Sequence, residues 1–215
     1  MNRRLLLVSG LICLVLVLGL GALVSVGLAH PFVLDEWWNG VVVGLRNDPL
    51  VAFAHAMDFI GGGWVAVLLV PILVIVAFLI ARRWRSAVFA ALAFLLSAGA
   101  VQAVKHLFGR ARPEDMLVVS DYGSFPSGHT ANAATLALVF AVLFPMVWVR
   151  IVGAIWIVLM ALSRTLLSVH WATDTVGGAL IGAAAVLLLA AWMLPWVRLP
   201  GRVEPADSLD DAPAQ

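Results

Sequence analysis

Long apolar stretches separated by short polar segments are the main pattern along this chain. Thirty residues, from Leu5 to Leu34, contain no Asp, Glu, Lys or Arg. A helix needs about 20 apolar residues to cross a bilayer, so one transmembrane helix is predicted within Leu5–Ala29. The alternative is a cleaved signal peptide that ends at Gly27-Leu28-Ala29, although the apolar region of a signal peptide has only about 7–15 residues.

Five further apolar stretches follow the first and predict five more transmembrane helices. They are Trp64–Ala81, Ser86–Val104, Ser127–Phe144, Trp148–Ser168 and Trp171–Trp196. Gly61-Gly62-Gly63 is expected to form a flexible start to the second helix. Pro145 is expected to end the fourth, because proline interrupts the helical hydrogen-bond ladder. The pattern therefore predicts an all-α, polytopic membrane protein with six transmembrane helices.

The two regions outside these spans differ in composition. His30–Asp58 mixes acidic residues with Trp37 and Trp38, which is typical of a segment at the lipid headgroup level. We interpret it as a connecting loop, with a lid over a site as the alternative. Residues 198–215 are rich in proline and acidic residues and are predicted to be a disordered cytoplasmic tail. The membrane domain is then residues 1–197.

The composition supports a membrane protein and excludes several other classes. Of the 215 residues, 63% are hydrophobic and 12% are charged, about half the charged fraction of a soluble domain. The mean hydropathy is +1.06. The formal net charge of +1 does not indicate a nucleic-acid partner. Cys13 is the one cysteine, which excludes an intrachain disulfide and a multi-cysteine metal site.

The positions of the basic residues predict the orientation in the membrane. Basic residues accumulate in cytoplasmic loops. If the N-terminus is cytoplasmic, six helices place eight basic residues inside: Arg3, Arg4, Arg82, Arg83, Arg85, Arg150, Arg198 and Arg202. The five on the outside are Arg46, Lys105, Arg110, Arg112 and Arg164. Both termini are therefore expected in the cytoplasm, in the cell (plasma) membrane, and the outer ends of helices three to six share the extracytoplasmic face.

Three cations on that outer face indicate a phosphate site. Lys105 ends the third predicted helix, and Gly109 indicates that this helix stops soon after. Arg112 precedes a proline, and Arg164 lies near the outer end of the fifth helix. Charged residues at membrane depth are costly and usually functional. Arginine forks match phosphate oxygens bidentately, and lysine adds a point charge. Arg110, by contrast, is interpreted as a residue that reaches to lipid headgroups.

A turn that begins the fourth helix supplies further groups for binding an anion. In Pro126-Ser127-Gly128, Ser127 is well placed as the N-cap of the helix. The free backbone amides of a helix start, a glycine that allows close approach and a hydroxyl group together bind anions. Ser127 and Gly128 are therefore predicted to contribute to the phosphate site.

Two histidines on the same face could carry out the chemistry. His170 and Asp174 are four residues apart, which places them on one face if a helix begins near His170. The carboxylate can then hold one ring nitrogen and leave the other free to attack phosphorus. His129 could protonate the departing alkoxide. His30, His55 and His106 are interpreted as structural.

Taken together, these segments resemble the three-part signature of the phosphatidic acid phosphatase type 2 superfamily. The three segments are Lys105-x6-Arg112-Pro113, Pro126-Ser127-Gly128-His129 and Ser163-Arg164-x5-His170-x3-Asp174. The superfamily also includes vanadium haloperoxidases and glucose-6-phosphatase-like enzymes. The motif core covers residues 105–174, and the six-helix arrangement extends the resemblance over almost the whole chain.

The resemblance implies a two-step reaction that needs no metal or other cofactor. His170 would form a phosphohistidine and be oriented by Asp174, while His129 would act first as general acid and then as general base. The phosphoryl oxygens would be held by Lys105, Arg112, Ser127, Gly128 and Arg164. The expected activity is hydrolysis of the terminal phosphate of a lipid phosphate or diphosphate of the phosphatidic acid, phosphatidylglycerol phosphate or undecaprenyl diphosphate class.

Several other functions fit the same motifs. A membrane sugar-phosphate phosphatase would use the same groups, and a phosphotransferase would use an alcohol in place of water. A haloperoxidase would normally be soluble, which six spans argue against. A non-enzymatic scaffold or transporter subunit is the alternative from a different class, although every chemical position of the motifs is filled. Twelve residues separate Pro113 from Pro126, too few for an added substrate-recognition domain.

Overall fold

The computed structural model describes residues 2–26, 32–120 and 122–198, and within these ranges the secondary structure is helical. The helices are α1 (Arg3–Val26), α2 (Val33–Leu45), α3 (Asp48–Gly61), α4 (Val70–Ile80), α5 (Trp84–Phe108), α6 (Gly128–Leu143), α7 (Val147–Leu166) and α8 (Ala172–Val197). A π-helical turn, Val65–Leu69, precedes α4. The predicted all-α class is confirmed. Most of the predicted tail and His30 lie outside the described residues.

The helix lengths agree with a multi-pass membrane protein. Four helices are long and apolar enough to cross a membrane, namely α1, α5, α7 and α8. A fifth span is possible if α3 and the segment Val65–Ile80 count as one span bent by 46°. The six predicted spans correspond in order to α1, this bent pair, α5, α6, α7 and α8. The number six stays a prediction, because α6 has 16 residues.

Local sequence signals explain where α5 and α6 begin and end. The last turn of α5 is closed by Gly109, whose φ of 47° lies in the left-handed region that favours glycine. Ser127 caps α6 with its side chain, which accepts a hydrogen bond from the Thr130 amide. Pro145 follows the last residue of α6 by two positions. These three ends agree with the sequence prediction.

The second predicted span, Trp64–Ala81, corresponds to the helical segment Val65–Ile80, and α3 precedes it at a bend of 46°. The chain runs from α3 through Gly62 and Gly63 into the π-helical turn. Pro71 lies in the first turn of α4, and its ring clashes with a carbonyl four residues earlier, which favours the wider π turn. The Asn132 side chain of α6 donates a hydrogen bond of 2.9 Å to the Ala66 carbonyl within that turn.

The described part of the segment interpreted as a connecting loop, residues 32–58, contains α2 and most of α3. Asn47 caps α3 by accepting a hydrogen bond from the Leu50 amide, and a proline occupies its first turn. Ala54 and Met57 are buried on one face of α3, which packs against α7. The loop interpretation was wrong because the apolar residues of this segment recur at helical spacing among its polar ones.

The helix α8 is the centre of the bundle and positions the start of α6. It packs against α1, α5 and α6, and α6 in turn packs against α7. A Cβ atom at Gly178 would lie 2.3 Å from the Ser127 carbonyl oxygen, so the two backbones meet directly. At the opposite end, Phe89, Val139 and Val186 are fully buried in the apolar core. Close contact between α6 and α8 thus fixes the position of the anion-binding turn.

Candidate active site

One cavity of about 870 Å³ lies where several helices meet. It is surrounded by the ends of α3, α5 and α7, the start of α6 and the connection before α8. Five of the eight predicted site residues line it: Lys105, Gly128, His129, Arg164 and His170. The remaining three, Arg112, Ser127 and Asp174, lie directly behind that lining, as described below. The structure therefore brings the three sequence motifs together around one space.

Two of the three predicted cations are held by the same backbone carbonyl. Lys105 Nζ donates a hydrogen bond of 2.7 Å to the Gly123 carbonyl oxygen, and Arg112 Nη2 donates one of 2.9 Å to it. The φ of Gly123 is 71°, a conformation that favours glycine. Arg112 Nη1 also donates to the Val169 carbonyl at 2.5 Å. These bonds fix both positive charges at the cavity before any anion arrives.

The third cation, Arg164, is almost entirely buried and keeps hydrogen-bonding capacity. Its side chain is 2% exposed, and one terminal nitrogen, Nη1, donates to the Asp58 carboxylate. Its Nε is buried and has no hydrogen-bond partner in the described part of the chain. A buried donor without a partner is unfavourable, so an acceptor such as a phosphoryl oxygen would be bound favourably here.

The turn before α6 has the predicted capping structure. The Ser127 hydroxyl accepts hydrogen bonds from the Thr130 amide at 3.5 Å and the Thr130 hydroxyl at 3.2 Å. The Ser127 amide donates to the Asp174 carbonyl at 2.9 Å, which joins the start of α6 to α8. Gly128 lies on the cavity wall. The positive end of the α6 dipole is therefore next to the cavity, where it favours an anion.

His170 and Asp174 are neighbours, but they are not hydrogen-bonded. His170 Nδ1 lies 3.6 Å from Asp174 Oδ2, beyond a normal hydrogen bond, and this buried nitrogen has no hydrogen-bond partner among the described residues. Asp174 Oδ2 instead accepts a bond of 2.8 Å from the Trp171 amide, at the start of α8. His170 and Asp174 are therefore adjacent, as predicted. A small movement of the His170 ring towards Asp174 would form the hydrogen bond that orients it.

The surroundings of His170 favour a neutral imidazole. The side chain is 3% exposed. Burial lowers the pKa of His170 well below its ordinary value, and the nearby charges of Arg112, Arg164 and Lys105 lower it further. Arg112 Nη1 lies 3.4 Å from His170 Nε2, so this nitrogen is on the side of the cations. A neutral ring keeps the lone pair that a nucleophile needs.

The prediction that Arg110 reaches to lipid headgroups was wrong. Its side chain is 6% exposed and lies between two buried carboxylates. Arg110 Nη1 donates to Asp174 Oδ1 at 2.6 Å, and Nη2 donates to Asp35 Oδ2 at 2.7 Å. An arginine paired with two acceptors can be buried, whereas a lone one would reach to water. The partner Asp35 is distant in sequence from Arg110. An acidic residue in an apolar segment was the signal in the sequence that Asp35 needs a buried cation as its partner.

Asp35 connects α2 to the start of α8. It is fully buried. Besides Arg110, it accepts hydrogen bonds from the Thr173 amide at 3.0 Å and the Thr173 hydroxyl at 2.6 Å. The chain of contacts therefore runs from Asp35 through Arg110 to Asp174 and reaches His170. The helix α2 thus supports the histidine from outside the three motifs.

A second carboxylate in the site, that of Asp58, was not predicted. Asp58 Oδ1 lies 3.1 Å from His129 Nε2, close but poorly aligned for a hydrogen bond. The same oxygen accepts a hydrogen bond from Arg164 Nη1. The sequence motifs assign a carboxylate, Asp174, to His170 and none to His129. A charged residue in an apolar stretch, just before three glycines, was the signal that would have identified Asp58.

The arrangement has the components of phosphoryl transfer by histidine. Phosphoryl transfer depends mainly on positioning and on stabilising negative charge. Three cations and a helix start surround the cavity, together with a neutral histidine and a second histidine beside a carboxylate. No group of three or more His, Cys, Asp or Glu side chains within residues 2–26, 32–120 and 122–198 could hold a metal ion.

Comparisons with known sequences give a family and a group of relatives. Residues 86–198 match the family model described as the PAP2 superfamily. The lipid A 1-phosphatase of Porphyromonas gingivalis is 35% identical over 94 residues, which are 43% of this chain and 20% of that protein. The lipid A 1-phosphatase of Rhizobium johnstonii is 32% identical over 102 residues, covering 40% of this chain and 39% of the relative. The matched region is thus about two-fifths or less of these relatives.

Two crystal structures share the fold over most of the chain. One is a transmembrane PAP2 type phosphatidylglycerolphosphate phosphatase from Bacillus subtilis, with a TM-score of 0.68, 24% identity, and coverage of 84% of this chain and 94% of that one. The other is Aquifex aeolicus LpxE, with a TM-score of 0.64, 24% identity, and coverage of 75% and 98%. At this identity the similarity shows a common fold.

Proposed function

This chain belongs to the PAP2 superfamily, and we propose that it is an integral membrane phosphatase acting on the terminal phosphate of a lipid phosphate or diphosphate. The observation that carries this proposal is the meeting of His129, His170, Lys105 and Arg164 around one cavity. The named relatives, which are lipid A 1-phosphatases, support a lipid phosphate as the substrate class.

In the first step, a lone pair of His170 attacks phosphorus and the bond from phosphorus to the lipid oxygen breaks. His129 donates a proton to that oxygen, which leaves as the lipid alcohol from a monophosphate or as the lipid monophosphate from a diphosphate. Lys105, Arg112 and Arg164 stabilise the charge on the phosphoryl oxygens, with the first turn of α6. Asp174 orients His170. The first step leaves a phosphohistidine.

In the second step, water attacks the phosphohistidine and the bond between phosphorus and nitrogen breaks. His129, now neutral, accepts a proton from the water. The products are inorganic phosphate and the free histidine. With an alcohol in place of water, the same step would be a phosphotransfer. The cations supply the positive charge, so we propose that the reaction needs no metal ion or cofactor.

The wall of the cavity supports a substrate that carries acyl chains. Below the polar groups, the cavity is lined by apolar side chains from the broken span and from α5, including Val67, Pro71, Phe94 and Leu95. Val67 and Leu95 are also largely exposed, so acyl chains can contact them. Phosphatidic acid, phosphatidylglycerol phosphate and undecaprenyl diphosphate all combine a terminal phosphate with such chains.

The proposal is tested by phosphate release from purified protein in detergent. The substrates are phosphatidic acid, phosphatidylglycerol phosphate, undecaprenyl diphosphate and glucose 6-phosphate, each with and without EDTA. We expect release from at least one lipid, none from the sugar, and no effect of EDTA. His170→Ala should release no phosphate and should trap no acid-labile, base-stable radiophosphate. Equal release by His170→Ala, or no release from any lipid by the unaltered chain, would contradict the proposal.

A further inference from the structure

The carboxylate of Asp58 reaches His129 from a helix that carries none of the three motifs. Asp58 lies in the last turn of α3, three residues before that helix ends at Gly61. Its side chain is 30% exposed and that of His129 is 21% exposed, so both border the cavity. The distance of 3.1 Å between Asp58 Oδ1 and His129 Nε2 is that of a direct ion pair.

The glycines that follow Asp58 hold the backbone against the His129 ring. A Cβ atom at Gly62 would lie 2.2 Å from His129 Nε2, and one at Gly61 would lie 3.3 Å from His129 Cδ2. At Gly62 a side chain would collide with the His129 ring, and at Gly61 it would collide with the end of the Met160 side chain, 2.3 Å away. The end of α3 therefore covers one edge of the ring, and Nε2 faces Asp58 and this backbone.

The charges around His129 make a carboxylate necessary if the ring is to carry a proton. Arg164 of α7 lies behind the same carboxylate, and Lys105 and His170 line the same cavity. Among the described residues around the ring, Asp58 supplies the negative charge. An imidazolium has an N–H group on each nitrogen. One N–H can thus be held by Asp58 while the other is donated to a leaving group.

We propose that Asp58 is the positioning residue of the acid catalyst. Its carboxylate fixes the orientation of His129 and compensates the charge of the imidazolium that protonates the leaving alkoxide. The inference rests on the proposed function. It gives each histidine its own carboxylate, and each carboxylate its own arginine: Asp174 with Arg110 beside His170, and Asp58 with Arg164 beside His129.

The dependence on the leaving group distinguishes this role from a merely structural one. Asp58→Asn keeps the size of the side chain but removes its charge, and Asp48→Asn is the matched control because Asp48 is exposed in the first turn of the same helix. The substrates are an alkyl lipid phosphate and an aryl phosphate, whose leaving group needs little help from an acid. General acid catalysis contributes about 10²–10⁴-fold.

We expect Asp58→Asn to lower kcat on the alkyl phosphate at least about tenfold, with a much smaller loss on the aryl phosphate. Asp48→Asn should match the unaltered chain. The double variant Asp58→Asn/His129→Ala should be no slower than His129→Ala alone, because both changes remove the same proton transfer. Equal losses on both substrates, additive losses in the double variant, or an unchanged alkyl rate would each overturn the proposal.

Gly62→Ala gives a second readout in case Asp58→Asn does not fold. Gly62 has φ −132° and ψ 179°, an extended conformation that alanine adopts readily. The new methyl group therefore acts through its contacts, 2.2 Å from His129 Nε2 and 2.9 Å from the Asp58 carbonyl oxygen, and disturbs the placement of these two residues. We expect the same selective loss on the alkyl phosphate, and equal losses on both substrates would count against the proposal. Trapping of the phosphohistidine separates the two hypotheses. If the unaltered chain traps no phosphohistidine, the proposed function fails. If the unaltered chain traps phosphohistidine but these variants show no dependence on the leaving group, only the role of Asp58 fails.

Discussion

At the scale of single residues, the two histidines differ in their neighbours. His170 is nearly buried and surrounded by cations, with a carboxylate at 3.6 Å. His129 is partly exposed, with a carboxylate at 3.1 Å on one side and the α3 backbone against its edge. The first environment favours a neutral nucleophile and the second accommodates a protonated acid. Each role thus follows from burial and charge.

The low pKa of His170 predicts a pH dependence. Because the folded protein releases the His170 proton at a lower pH than an ordinary histidine, the neutral form persists below the usual value of about 6.5. The loss of kcat/KM caused by protonation of His170 should therefore occur below that pH. Arg112→Gln removes one of the charges responsible, so it should move this limb of the profile to higher pH.

The measurement is kcat/KM against pH for the unaltered chain and for Arg112→Gln. Both are assayed with the same aryl phosphate, so that ionisation of the substrate is the same in each. Arg150→Gln is the control, since Arg150 is exposed at the start of α7. An acid limb that stays in place in Arg112→Gln would show that His170 does not determine it.

The burial of Arg110 between two carboxylates predicts a large loss of stability when it is replaced. Arg110→Leu leaves Asp35 and Asp174 buried without their shared cation, and such uncompensated charges typically cost about 3–5 kcal/mol. We expect a clear decrease in the thermal unfolding temperature in detergent. Arg150→Leu should change it little, because that side chain is exposed. Similar unfolding temperatures for the two variants would contradict this account of Arg110.

At the scale of helices, the sequence predicts those helix ends that are determined by residues close to them in the chain. Gly109 and Ser127 end α5 and begin α6 through their own backbone and side chain, so both ends were predicted. Arg110 and Asp58 were misjudged or missed because their roles depend on partners far away in the chain, at Asp174, His129 and Arg164. The three motifs predict eight site residues, and the structure places them in or directly behind the wall of one cavity. The helices α2 and α3, which support the site through Asp35 and Asp58, carry none of the motifs. Their contribution became clear only from the structure.

The contact between α6 and α8 predicts that a small change far from the cations weakens the site. Gly178→Ala adds a methyl group 2.3 Å from the Ser127 carbonyl oxygen, so the start of α6 must move. We expect a higher KM for the lipid phosphate and a lower unfolding temperature. Gly19→Ala is the matched control, because a Cβ atom there has nothing within 4 Å. It should leave both quantities unchanged or slightly improve stability.

At the scale of the whole molecule, orientation decides which pool of lipid reaches the site. The site residues lie at one end of the helices, together with the connections 109–127 and 167–171. The connection between α4 and α5, which contains Arg82 and Arg83, lies at the other end. By the positive-inside rule, the excess of arginine at that second end favours a cytoplasmic location for it. We therefore propose that the site faces outward.

Cysteine labelling in intact cells tests this orientation. In a background without Cys13, the two test variants are Val119→Cys and Ala81→Cys. Val119 is fully exposed in the connection next to the cavity, and Ala81 is exposed directly after α4. We expect an impermeant thiol reagent to label Val119→Cys at once and Ala81→Cys only after the cells are permeabilised. The reverse pattern would invert the orientation.

The break between α3 and α4 has a consequence for how water is distributed along the protein. Backbone that leaves the helical ladder at membrane depth is tolerated where it borders protein or a hydrated space, and Gly61, Gly62, Gly63 and Trp64 all line the cavity. Hydration should therefore extend down to the His129 ring, which gives the hydrolytic water a route. In hydrogen–deuterium exchange, amides of residues 61–64 should exchange much faster than those in the middle of α8. Protection of both segments to the same degree would mean that the cavity is dry.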